Sequence, residues 1–155
     1  MSTPEWAPVQ VRSAQPSDLG PWVAMRSALW PDADTIELDA QAHAMLEGDS
    51  CAVAFVAERA GALVGMAEAC LRHEYVNGTD SSPVGFLEAW YVAPAWRGRG
   101  VGRALVAAVE EWTRAQGCAE LASDAPQDNA ASLSAHAACG FDETERVVYF
   151  RKALA

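Results

Sequence analysis

The sequence predicts one α/β domain with elements in the order β-α-α-β-β-β-α-β-α-β. Three observations carry this. A strand, a glycine-rich turn and a helix follow one another between Gly85 and Trp112. Two β-rich runs, Ala52 to Glu58 and Leu63 to Arg72, precede them. Before those lie two stretches with helical spacing and clear boundaries. A chain of 155 residues is expected to form a single domain, 1–155, with a proper core.

Met1 to Pro8 reads as a loose leader, and Val9, Val11 and Ser13 alternate as a short first strand. Ser17 or Asp18 is placed to cap a helix carrying Leu19, Trp22, Val23, Met25, Arg26 and Leu29, which Pro31 ends. Ile36, Ala40, His43 and Ala44 recur at helical spacing over about Thr35 to Leu46. The two β-rich runs join through Arg59-Ala60-Gly61, which suits a hairpin. Asn77-Gly78-Thr79-Asp80 and Ser81-Ser82-Pro83 are turn chemistry. The central run Phe86, Leu87, Ala89, Trp90, Tyr91 and Val92 is apolar enough for a buried strand, and Pro94 ends it. Leu105, Ala108, Val109 and Trp112 then repeat with a helical period up to Gly117. Glu120 to Ser123 reads as a strand, and Asn129 or Ser132 opens a helix through Leu133 and His136 to Cys139. Phe141, Val147, Val148, Tyr149 and Phe150 predict two closing strands.

Composition narrows the function. The net charge is −10, from 11 basic and 21 acidic residues, which argues against nucleic-acid binding. Two stretches, between Arg26 and Arg59 and between Arg114 and Arg146, contain acidic side chains and no Lys or Arg. Such a field concentrates a polycationic small molecule, and it equally serves as a solubilising surface. No apolar stretch reaches membrane-spanning length, and Met1 to Gln10 lacks the basic start and apolar core of a signal peptide. Cys51, Cys70, Cys118 and Cys139 form no CxxC pair and read as reduced thiols of a cytoplasmic protein. His43, His73 and His136 have no ligand-like spacing with them, so no metal is expected.

The chemistry sits in Arg97-Gly98-Arg99-Gly100-Val101-Gly102, followed by Arg103. Glycines let the backbone turn tightly and approach a ligand, and a helix start offers unpaired N–H groups and the positive end of the dipole. With three arginines around it, this is a phosphate-binding turn. The Walker pattern is absent, and the glycines do not fall as GxGxxG.

Arg97-x-x-Gly100-x-Gly102 after a strand resembles the signature of the GCN5-related N-acetyltransferases, whose turn holds the pyrophosphate of acetyl-CoA. The element order is similar to that fold, a central mixed, twisted sheet flanked by helices. The likeness covers the chain from about Leu19 and extends to His73-Glu74-Tyr75-Val76-Asn77-Gly78, Asp80-Ser81-Ser82-Pro83, Phe86-Leu87-Glu88, Ala122-Ser123-Asp124 and Gly140-Phe141-x-Glu143-Thr144-Glu145-Arg146-Val147. These resemble the aminoglycoside 6'-N-acetyltransferase branch, resistance enzymes that acetylate a primary amine of aminoglycosides.

The resemblance implies that Trp90, Tyr91 and Val92 pair through their backbone with the pantetheine arm. It implies that Arg97, Gly98, Arg99, Gly100, Val101, Gly102 and Arg103 hold the pyrophosphate, with Asn129 reaching the CoA. It places the antibiotic among Trp30, Tyr75, Glu88 and Asp124, where carboxylates suit ammonium groups and aromatic faces suit sugar rings. Glu88 or Asp124 is a candidate to accept the amine proton, or each is a binding counter-ion only. Many members of the superfamily carry a tyrosine four residues before the Gly-Phe pair as general acid; here that position is His136, either a proton donor or a core residue. Family members often dimerise through C-terminal strands, so a homodimer is expected. The competing readings are an acetyltransferase for a polyamine or protein N-terminus, and a CoA-binding sensor without turnover.

Overall fold

The computed structural model describes residues 8–155. Of the expected leader, all but Pro8 lies outside the described residues. Five strands form one sheet in sequential order: β1 (Gln10–Ser13), β2 (Ala52–Arg59), β3 (Ala62–Arg72), β4 (Val84–Val92) and β5 (Leu121–Ser123). The first four pair antiparallel, and β5 lies parallel to β4 through the rungs Gly85–Leu121, Phe86–Ala122 and Leu87–Ser123. The sheet is therefore mixed, as expected. Ala60 and Gly61 both take left-handed φ, 53° and 82°, which makes the two-residue turn joining β2 to β3 follow the strands' twist.

Four helices cover the sheet: α1 (Leu19–Leu29), α2 (Thr35–Glu47), α3 (Val101–Ala115) and α4 (Ala130–Ala138). Asp34 caps α2 by accepting from the Ile36 N–H at 2.9 Å, and Gly48 closes that helix at φ 76°. Asp18 precedes α1 but does not cap it through its side chain. Its carboxylate instead takes two hydrogen bonds from Arg12, 2.7 and 2.9 Å, and that guanidinium holds the Asp18 carboxyl below the usual carboxylate range.

The sheet has a core on each face. On one, α1 and α2 bring Trp22, Val23, Met25, Leu38 and Ala42 against Ala54, Val56, Met66 and Ala89. On the other, α3 presents Val101, Leu105, Val106 and Val109 to Ala67, Ala69 and Leu87. Gly65 is required for this second contact, because a Cβ there would lie 2.9 Å from the Tyr91 carbonyl and 3.1 Å from Leu105. The first core contains a charged pair. Arg26 and Glu68, each 3% exposed, form an ion pair, Trp22 Nε1 donates to Glu68 at 2.9 Å, and Arg26 also donates to Gln41. α1 and β3 are thus tied together inside the protein, and exposed Gln41 extends the link to α2.

The chain departs from expectation at its end. No strand forms after α4, so the closing pair expected from Phe141 and Val147 to Phe150 is absent among the described residues. Phe141 turns inward against the α3-side core. Val148, Tyr149 and Phe150 are 76%, 85% and 93% exposed. A strand is stable only beside a hydrogen-bonding partner, and this run meets none among the described residues. Apolar β-rich composition records a tendency to pair and not the presence of a partner.

Candidate active site

The turn after β4 is built as its glycines require. Pro94–Trp96 forms a short 3-10 turn, and Gly98 and Gly100 then take φ 74° and 86°. Gly100 is the N-cap of α3 and carries no capping side chain, so the N–H groups opening that helix have no protein side chain on them. Nothing lies within 4 Å of where a Cβ at Gly98 or Gly100 would sit, so these glycines serve conformation and leave open space above the backbone. Gly102 is different: a Cβ would sit 3.1 Å from the Trp90 ring, whose Nε1 donates to the Gly102 carbonyl at 3.2 Å. The Trp90 side chain therefore pins β4 to α3. Val101, 2% exposed, is anchored in the core.

The arginines are arranged around this opening. Arg97 Nε donates to the Val92 carbonyl at 2.9 Å, with its guanidinium 5.7 Å from the Tyr91 ring centroid. Arg59 and Arg99 stand 4.5 and 5.2 Å from the centroid of Trp96, which packs against the α3-side core. Arg103 is exposed on the first turn of α3. Open backbone N–H groups at a helix N-terminus, ringed by guanidinium groups, fit a pyrophosphate.

At the other end of the exposed part of β4 is Glu88. Glu68 pairs with Ala89 and Ala69 with Leu87, so Glu88 is the extra residue of a β-bulge. The bulge turns its side chain away from both cores. Arg72 grips the carboxylate with both NH2 bonds, 2.9 and 3.1 Å, and stacks its guanidinium over Phe86 at 3.6 Å. Cys70 donates its S–H to the same carboxylate at 2.7 Å. Burial, with the neighbouring Glu88 charge adding to it, pushes the Cys70 thiol up to about 12. With a disulfide reagent at pH 8, exposed Cys51 is expected to react in the native protein and Cys70 only after unfolding. Labelling of Cys70 at the rate of Cys51, read by peptide mass spectrometry, would contradict this.

The remaining acceptor-side candidates are less tightly held. Trp30 is the C-cap of α1, its amide bonded to the Arg26 carbonyl at 2.9 Å and its ring 5.0 Å from the Arg26 guanidinium. Tyr75, 73% exposed, stands in the loop between β3 and β4. Asp124 is exposed directly after β5 and makes no hydrogen bond or ion pair among the described residues. None of these three is bonded to Glu88.

The residues expected nearest the CoA from α4 are ordered by the helix itself. Asn129 caps α4, its side-chain oxygen accepting from the Ser132 N–H at 3.1 Å. His136 sits between Trp90 and Phe141, with ring centroids 5.2 and 5.1 Å away in edge-on contact. Its Nε2 meets Ser123 Oγ at 2.9 Å and its Nδ1 meets the Ser132 carbonyl at 2.7 Å. The sequence places Ser123 in a strand and a motif, Arg72 in a strand and Cys70 among the reduced thiols, and assigns none of them a role in the site. Strand register brings two of them to the site, with Arg72 and Ser123 on rungs with Val84 and Leu87, close in sequence to Glu88.

Comparison with known proteins agrees with this geometry. The model of the acetyltransferase (GNAT) family matches residues 22–141. An aminoglycoside N(6')-acetyltransferase type 1 of Stenotrophomonas maltophilia is 56% identical over 145 residues, 93% of each chain. One from Salmonella typhimurium is 42% identical over 144 residues, covering 93% of this chain and 99% of that protein. Among solved structures, AAC(6')-Iy in complex with the bisubstrate analogue CoA-S-monomethyl-acetylneamine superposes with a TM-score of 0.90 at 40% identity, over 96% of this chain and 100% of that one.

Proposed function

Because the chain belongs to the GNAT acetyltransferase family, we propose that it transfers the acetyl group of acetyl-CoA to the 6'-amine of aminoglycoside antibiotics. The supporting observation is an arrangement along one strand. A turn suited to a pyrophosphate closes one end of β4, and a carboxylate on a bulge stands about 13 Å back along it, four residues at strand spacing. Relatives bearing the aminoglycoside N(6')-acetyltransferase name supply the acceptor class.

Acetyl-CoA, the co-substrate, brings the activated acetyl group. The chain's own residues bind and orient. Arg97, Arg99 and Arg103 with the N–H groups at Gly98, Gly100, Val101 and Gly102 hold the pyrophosphate, and Asn129 approaches from α4. The backbone of Trp90, Tyr91 and Val92 pairs with the pantetheine arm along the edge of β4 that β5 leaves open. Glu88 and Asp124 face the acceptor's ammonium groups, and Trp30 and Tyr75 offer flat faces to its rings. Glu88 draws the reacting amine toward the thioester and takes its charge, while Arg72 supplies the counter-charge in the free enzyme. Holding the two substrates together accounts for much of the rate.

Single-domain organisation over 1–155 is part of this reading, as is a cytoplasmic site of action, supported by four unpaired thiols. A homodimer is supported by the exposed run from Val147 to Phe150, which a second copy would cover. The test is thiol release from acetyl-CoA with kanamycin, tobramycin, spermidine and a peptide amine side by side. Turnover is expected with the two aminoglycosides and lost when the 6'-amine is replaced by a hydroxyl. Turnover on spermidine or peptide alone would overturn the acceptor assignment.

A further inference from the structure

We propose that Ser123 and His136 form a two-way proton shuttle for acetyl transfer, with Ser123 Oγ as the group that touches the reacting atoms. This rests on the acetyl-transfer reading above. Three features of the fold place it. β4 and β5 share three rungs and part after Leu87–Ser123, so Ser123 sits at the apex of the fork. The next residue of β4 is the bulged Glu88. The edge of β4 that β5 leaves open runs from that apex to the turn after Val92, so an arm held along it would bring its thioester to Ser123.

The hydrogen bonds fix which way the chain points. Two groups face His136 Nδ1, the Ser132 carbonyl at 2.7 Å and Ser132 Oγ at 3.3 Å. A carbonyl oxygen only accepts, so the shorter contact is a hydrogen bond when Nδ1 carries the hydrogen. In the neutral ring Nε2 then holds a lone pair, aimed at Ser123 Oγ 2.9 Å away, and the serine hydroxyl donates to it. The Leu87 carbonyl, 3.3 Å from the same Oγ, is the hydroxyl's alternative acceptor. Trp90 and Phe141 close the ring's edges. Among the described residues no carboxylate or cation bonds to His136. In that neutral tautomer His136 is a proton acceptor reached through a hydroxyl.

Each step balances. The bound ammonium first loses one proton to solvent. As the neutral amine nitrogen then bonds to the thioester carbonyl, it gives its second proton to Ser123 Oγ, and Ser123 passes its own hydrogen to His136 Nε2. The ring is then an imidazolium, held by the Ser132 carbonyl. As the carbon–sulfur bond breaks, Nε2 returns its proton to Ser123 and Ser123 gives one to the departing thiolate. The amine's proton ends on sulfur, and both residues return to their starting states. Glu88 binds the acceptor in this scheme, and the shuttle moves the proton.

The test uses Ser123→Ala, Ser123→Thr and His136→Gln, singly and with Ser123→Ala/His136→Gln combined. Ser123→Ala and His136→Gln are each expected to lower kcat by about 100-fold with KM for both substrates within about twofold. Ser123→Thr keeps the hydroxyl and restores most of the rate. The double variant falls no further than the slower single, because the two groups act in series. Independently of turnover, 15N spectra of the wild-type protein should show His136 protonated on Nδ1 alone, and calorimetry should find acetyl-CoA binding unchanged in Ser123→Ala. A kcat within threefold of wild type in Ser123→Ala, losses that multiply in the double variant, or a ring protonated on Nε2 would each overturn the shuttle. If His136→Gln fails to fold, the Ser123 pair and the spectra still decide. Wild-type turnover on spermidine and not on aminoglycosides would sink the acceptor assignment alone, and the same variants would then be compared on spermidine.

Discussion

Replacing Glu68 by alanine is expected to destabilise the protein by about 3–5 kcal/mol, the largest loss among the substitutions considered. The carboxylate is 3% exposed and serves two donors, the Arg26 guanidinium and Trp22 Nε1. Removing it leaves a buried cation without its counter-charge and a buried indole N–H without an acceptor. Arg26 has little else to fall back on: its Nε already lacks a partner, and its remaining bond is to neutral Gln41. A chain of this length loses about 2–4 °C of melting temperature per kcal/mol, so a drop of about 6–20 °C should follow. Denaturant midpoints on the purified variant measure it. Glu68→Ala combined with Arg26→Met should recover a good part of the loss, since the stranded charge is gone. A single-variant loss below 1 kcal/mol would mean that water or a shifted Arg26 compensates the site.

Glu88→Gln is expected to lower kcat/KM for aminoglycosides by about 100-fold while leaving KM for acetyl-CoA unchanged. The substitution does more than delete a counter-ion. In the free enzyme Arg72 is neutralised by this carboxylate through bonds of 2.9 and 3.1 Å. Without it, the guanidinium stands uncompensated where a cationic acceptor must approach, and like charges repel. Adding Arg72→Gln should therefore recover part of the acceptor affinity. Steady-state kinetics with each substrate varied separates the two effects. A change under threefold in Glu88→Gln would remove Glu88 from acceptor binding.

The half of the fold that is coded locally was legible. β4, its turn and α3 follow within one continuous stretch, each boundary marked by Pro94, Gly98, Gly100 or Gly117. What stayed hidden depends on distant partners. Glu68 stands in the middle of the apolar run from Leu63 to Leu71, a charge in a strand that reads as buried, yet its partner Arg26 lies 42 residues away on a helix. The bulge that frees Glu88 is a property of two strands in register, which neither strand's composition records. The final apolar run misled for the same reason. Its composition predicts two strands and none forms, because composition does not record whether a neighbouring strand is there. Of the site, the glycines and arginines were visible as a motif, whereas the grip of Arg72 and Cys70 on Glu88 and of Ser123 on His136 is tertiary.

The two cores divide the labour of change. Trp30 and the helices behind it pack on one side of the sheet, while α3 and the turn for the pyrophosphate rest on the other. Only the sheet itself is shared. Substitutions in α1 and α2 are separated from α3 and its turn by a layer of backbone, and distant substitutions combine additively. Such a protein can be retuned toward a new amine while its hold on acetyl-CoA stays as it was, a form of modularity within one domain.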